Sequence, residues 1–255
     1  MIDIDKAKEE FIIYTNKFDI ENFHIKGKIE HSMRVMEVSR KLATMLNLNE
    51  EETNLAMLIG LLHDIGRFEQ FTKYGSFRDA ETVDHGDLGV KILDENNFLR
   101  KFIQDNRYDN IIIKAIFNHN KYAIEEDLTD KELLFAKLIR DADKIDILFE
   151  VETIFYEDRI EEISNSKIDK EMEEQIILKK QIVKRKGYHP QGVNAILIPI
   201  SFVYDINYKE SLRLIKENNY INNIFDKFTF TDNETKIKIE EIRKQVNDFI
   251  NEKIK

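Results

Sequence analysis

Apolar residues recur along this chain at helical spacing. Val35, Val38, Leu42 and Met45 fall at steps of three and four and mark one face of a helix over 28–46. Similar spacing predicts helices over 5–18, 86–96, 107–119 and 233–253, and a more polar one over 168–186. Two segments differ. The second half of 51–64 reads Leu55-Ala56-Met57-Leu58-Ile59-Gly60-Leu61-Leu62, and 131–158 is apolar nearly all round between Leu133 and Val151. A helix apolar on every side belongs in the interior, so these two are expected to be central. The polar, aromatic stretch from Arg67 to Asp84 reads as a loop, with Ile65-Gly66 turning the chain sharply before it. Gly187-Tyr188-His189-Pro190-Gln191-Gly192 reads as a second loop. Ala195 to Tyr204 is apolar and fits a helix or a strand.

Composition supports an all-α reading. Only Pro190 and Pro199 occur in 255 residues, which favours long helices. With 42% hydrophobic and 35% charged residues, the chain can bury a core and keep a solvated surface. One helical domain is the simplest organisation, with no internal repeat and no Gly/Ser/Pro linker. The absence of Cys excludes a disulfide framework and any thiolate metal site, leaving His, Asp and Glu as ligands. Met1-Ile2-Asp3-Ile4-Asp5-Lys6 lacks the pattern of a signal peptide, and no apolar run approaches the ~20 residues that span a bilayer. A cytoplasmic protein without a membrane partner is expected. A net charge of −10 argues against an extended nucleic-acid surface, but not against a small anionic substrate.

Several polar residues sit where a helical interior should be. His31 shares a face with Val35 and Val38, and reads as a core histidine or a ligand. His63-Asp64 ends a run of apolar residues. An unpaired buried carboxylate is costly there, and a divalent cation would offset the cost. A helix-capping Asp beside a chance His is the plainer reading. His85 opens a helix in Asp84-His85-Gly86-Asp87, and His119 closes one between Asn118 and Asn120. Each fits a ligand or a helix-end residue favoured by the dipole. Asp143 lies within an apolar stripe with Ile139 and Ile147, and could instead pair with Arg140. Periodicity alone leaves Asp141 equally eligible, because the helix is apolar on both sides.

The ordered set is more specific than its members. His31, then Leu62-His63-Asp64-Ile65-Gly66-Arg67, then Ala142-Asp143 resembles the H…HD…D signature of the HD-domain superfamily, over about residues 25–150. The resemblance implies an all-α, HD-domain-like helical bundle. It would comprise an N-terminal helix over 1–24, a core over 25–158 and a mostly helical C-terminal segment over 159–255 packed on that core. It selects Asp143 over Asp141. It also implies that His85 and His119 serve a second metal, as in the family's two-metal members. One ion would take His31, His63, Asp64 and Asp143. The second would take His85 and His119, with Asp64 as the bridge. Imidazole and carboxylate donors suit Mn, Fe, Co, Ni or Zn, with Mg as a further option.

The implied activity is metal-dependent phosphohydrolysis of a phosphomonoester or phosphodiester, with a small, nucleotide-like phosphorylated substrate as partner. Asp64 would act at the reacting centre, Arg67 on a phosphate oxygen and Asp146 as an orienting carboxylate, with Lys121 a second candidate phosphate contact. The alternative reading of Arg67 is a surface Arg. Phe68, Phe71, Tyr74 and Phe77 could cover the site and stack on a base, or simply pack on the core. His189 reads as loop structure. A di-iron oxygenase acting on a small polar molecule is the competing activity, and a non-catalytic module that keeps the fold is the third reading.

Overall fold

The computed structural model describes residues 2–182 and 189–255, and among these every regular element is a helix, as expected of an all-α chain. The chain divides into two compact units, Met1–Asp143 and Lys144–Lys255.

The first unit holds α1 (Ile4–Thr15), α2 (Phe23–Met45), α3 (Glu50–Leu62), α4 (Ile65–Tyr74), α5 (His85–Asp94), α6 (Leu99–Phe102) and α7 (Asp109–Asn118). It also holds most of α8 (Asp130–Thr153), which runs on into the second unit. Side chains set the helix starts. Asn22 caps α2, and Asn49 with Glu52 forms a reciprocal capping box on α3. Asp84 caps α5 by accepting from the Asp87 amide. α2 and α3 form the most extensive helix pair. Gly60 permits it, since a Cβ there would lie 2.7 Å from Ser39 Oγ and 2.9 Å from Met36 Cα. At Gly66 a Cβ would collide with the His85 carbonyl oxygen and come within 2.7 Å of the Gly89 nitrogen, so α4 crosses α5 backbone to backbone. The core includes the fully buried Phe68, whose ring meets Phe11, Tyr14 and Phe18 at 5.6–6.0 Å.

The second unit holds α9 (Ile160–Ser164), α10 (Lys170–Ile177), α11 (Val193–Ser201), α12 (Lys209–Glu217), α13 (Tyr220–Asp226) and α14 (Asn233–Lys253). α14 packs on α10, α12 and α13, burying Ile239, Ile242, Val246 and Ile250. Its Gln245 donates to the Ile176 carbonyl and to the Tyr204 hydroxyl at 2.9 and 2.8 Å.

Several boundaries differ from the sequence reading. The loop expected from Arg67 is helical as far as Tyr74, and Ile65-Gly66 opens α4 rather than turning away. The apolar stripe was hard to see because a glycine and Gln70 occupy its buried face. The helix expected to reach 158 stops at Thr153, where the Ile154 and Phe155 amides both fold back to the Glu150 carbonyl and Tyr156 turns left-handed. The helix expected over 168–186 is Lys170–Ile177, ended near Lys179 at φ 52°. Its expected course past 182, and the loop positions Gly187 and Tyr188, lie outside the described residues. The ambiguous segment is α11 followed by a 3-10 turn over Phe202–Asp205, with Pro199 inside the helix. α12 and α13 were not expected. They are short, separated by Asn218 and a left-handed Asn219.

Candidate metal centre

Helix ends gather the predicted residues of the first unit. His31 lies within α2. His63 is the last cap of α3 and Asp64 the first cap of α4, so the two side chains leave a single break between helices. His85 is the first residue of α5, His119 caps the end of α7, and Asp143 lies on α8. The close crossings at Gly60 and Gly66 bring these ends together.

Asp64 is the hub. Its Oδ2 lies 3.6 Å from His31 Nε2 and 3.7 Å from His63 Nε2, while its Oδ1 lies 3.3 Å from His85 Nε2 and 3.6 Å from His119 Nε2. Asp143 Oδ1 faces the first pair, 3.1 Å from His31 and 3.6 Å from His63. All four histidines and Asp64 are buried; the Asp143 side chain is 18% exposed. Two donor groups thus share one carboxylate, His31-His63-Asp64 and Asp64-His85-His119, and each is compact enough to hold a metal ion. Burial pushes the Asp64 carboxyl up. Lys28, His63, His119 and Arg67 outweigh that and hold it well below the usual carboxylate range.

The protonation pattern tests the fit to a cation. His63 Nδ1 donates to the Gly60 carbonyl at 2.8 Å, and His119 Nδ1 to the Ile116 carbonyl at 2.6 Å. His85 Nδ1 donates to Asp79 Oδ2 at 2.6 Å. Burial, then Arg67, pushes the His85 imidazole down to about 4, so it is neutral near pH 7. His85 and His119 turn their Nε2 atoms toward each other at 2.9 Å. Two imidazoles bound to one ion at ~2.1 Å and a right angle stand about 3 Å apart, so the pair suits a shared metal.

Other expected residues are more engaged than their sequence positions suggested. Arg67 Nη1 donates to Gln70 Oε1, the Phe77 carbonyl and Asp79 Oδ1 at 2.6–2.9 Å. Lys121 Nζ pairs with Asp84 and Asp87, both at 2.7 Å. Arg140 does not serve as the surface partner considered for Asp143. It is buried and donates to the Asn118 carbonyl at the end of α7 and to the Lys121 and Tyr122 carbonyls beyond it. Asp146 is buried on α8, one turn past Asp143, in the second unit. Phe68 packs in the core, while Phe71 and Phe77 stack on one another at 4.8 Å and Tyr74 is exposed. His189 is exposed in its loop.

Three participants were missed. Lys28 Nζ contacts Asp64 Oδ2 at 2.9 Å; it lies three residues before His31, so helical spacing could have found it. Asp79 and Asn120 meet at His85, and no periodicity reports a loop carboxylate.

A family model described as HD domain matches residues 29–148, which hold all six residues of the two donor groups and Asp143. The comparisons with curated proteins and with solved structures returned no match. Among the described residues no helix is long and apolar enough to cross a membrane.

Proposed function

Residues 29–148 form an HD domain, commonly a metal-dependent hydrolase, and from that premise we propose that this chain is a phosphohydrolase using two divalent transition-metal ions. The observation that carries the reading is the Asp64 carboxylate, which turns one oxygen to each histidine pair. One ion would be held by His31, His63, Asp64 and Asp143, the other by Asp64, His85 and His119. A mixed imidazole and carboxylate set favours Mn, Fe, Co, Ni or Zn over the nearly all-oxygen surroundings that Mg takes.

When bound, such a pair supplies a hydroxide nucleophile near neutral pH and positive charge against phosphate oxygens. The chain's own residues do the rest. The four imidazoles and two carboxylates fix where an ion would sit. Lys28 brings a partly buried ammonium to the same place, and is the better candidate for a phosphate oxygen because Arg67 Nη1 already serves three acceptors. The Phe71–Phe77 pair lies beside it, with Lys28 Nζ 5.7 Å from the Phe77 ring centre, and offers a face for a base. We therefore propose a nucleotide-like phosphomonoester or phosphodiester as substrate.

The test is hydrolysis of chromogenic phosphate mono- and diesters by protein loaded anaerobically with Mn or Co, alongside elemental analysis of protein purified without chelator. Two transition-metal equivalents and oxygen-independent turnover are expected. Iron-dependent oxygen uptake without phosphatase activity would replace this reading with an oxygenase. Unchanged metal content in His63→Ala and Asp64→Ala would remove the centre altogether.

A further inference from the structure

We infer that Asp79 is a positioning residue for the second metal position, setting which nitrogen of His85 carries the proton; the inference rests on the metal reading above. Asp79 lies in a single 3-10 turn, Asp79–Glu81, on the loop between α4 and α5. Four donors converge on its carboxylate. Arg67 Nη1 and Gln70 Nε2 reach Oδ1, both at 2.9 Å. His85 Nδ1 and Asn120 Nδ2 reach Oδ2 at 2.6 and 3.1 Å. Gln70 is fully buried, and its amide also donates to Thr82 Oγ1 and the Val83 carbonyl at 2.8 Å, pinning the loop against α4.

An ionised carboxylate can only accept. The proton that His85 shares with Asp79 must therefore sit on Nδ1, and it is Nε2 that faces Asp64 and His119. The loop thereby controls the basicity of the atom that would meet the ion. An amide in place of Asp79 reverses the constraint. Asp79→Asn can keep accepting from Arg67 and Gln70 through Oδ1, and then turns an N–H toward His85 Nδ1. The imidazole answers by carrying its proton on Nε2, where it donates to His119 Nε2 across the present 2.9 Å gap. That hydrogen bond occupies both nitrogens needed for metal. Partners that orient a ligand histidine typically change metal affinity 10–100-fold.

The experiment records the imidazole nitrogen resonances of metal-free wild-type and Asp79→Asn protein by NMR. Each protein is then titrated with Zn in a calorimeter. The expected result is an Nδ1–H His85 in the wild type and an Nε2–H His85 in the variant. The second Zn equivalent should weaken 10–100-fold in the variant, and the first should bind as in the wild type. A residue that merely held the loop in place would lower stability without moving the proton. A wild-type His85 protonated on Nε2, or a variant that binds the second Zn as tightly as the wild type, overturns the inference. Should the wild type bind no Zn, the metal reading fails by itself and the two spectra still decide what Asp79 does to His85. Should the variant fail to fold, the wild-type spectrum decides.

Discussion

Replacing Gly66 with alanine should damage both the fold and the second donor group, although it adds one methyl to a helix. In open space this change favours a helix by up to about 1 kcal/mol. At Gly66 the new Cβ would meet the His85 carbonyl oxygen and the Gly89 nitrogen, the latter at 2.7 Å where ordinary contact begins at 3.4 Å. Both obstacles are backbone, so α5 must retreat by about 0.7 Å or more. Overpacking of this kind costs ~1–3 kcal/mol, and a rigid obstacle puts it in the upper half. The net loss is then about 1–2 kcal/mol, or roughly 3–6 °C in Tm for a chain of this size. His85 opens the displaced helix, so binding of the second metal equivalent should weaken about tenfold, as sub-ångström errors at a reactive site commonly do. Gly27→Ala is the control, because nothing lies within 4 Å of a Cβ there and Gly27 is within α2. The assays are thermal unfolding of the chelator-treated proteins and metal titration. If Gly66→Ala raises Tm as Gly27→Ala should, the close crossing of α4 and α5 does not govern the site.

Two further predictions concern stability. Burial works against the Asp84 carboxylate, but hydrogen bonds from Lys121, Asn120 and the Asp87 amide outweigh it and lower its pKa. A group lowered in the folded state stabilises above its unfolded pKa of about 3.9 and loses that contribution as pH falls toward the folded value. Asp84→Asn should therefore cost under about 1 kcal/mol near pH 7 and converge with the wild type in strong acid, seen as a shallower acid limb in Tm against pH. Arg140→Gln, which withdraws a buried guanidinium from the Asn118, Lys121 and Tyr122 carbonyls, should cost about 2–3 kcal/mol in urea unfolding. A loss below 0.5 kcal/mol would show that water replaces those bonds.

The all-α character and the long helices were legible because apolar spacing of 3.6 survives in one sequence. α14 spans the residues its pattern predicted. His31 was legible for the same reason, being a polar residue on an apolar stripe. What escaped was set by packing between elements. α4 hid because its buried face is built from Gly66 and Gln70, neither of which scores as apolar, and each is there for a neighbour. The grouping of His85 with His119 was reached only through the resemblance, since each alone passes for a helix-end residue. Asp79 left no local trace, because its partners are Arg67, Gln70, His85 and Asn120 and their meeting depends on how the loop folds.

The histidines and carboxylates of the centre come from six helices or helix ends, and only His63-Asp64 are neighbours in sequence. A newly made chain therefore carries no local chelate. Loop closure must come first, so ion capture follows folding instead of guiding it. An ion held there would act as a late rivet. Bonds that form only after the transition state leave the folding rate nearly unchanged and slow unfolding. A half-folded chain, in turn, has little means of trapping the wrong metal.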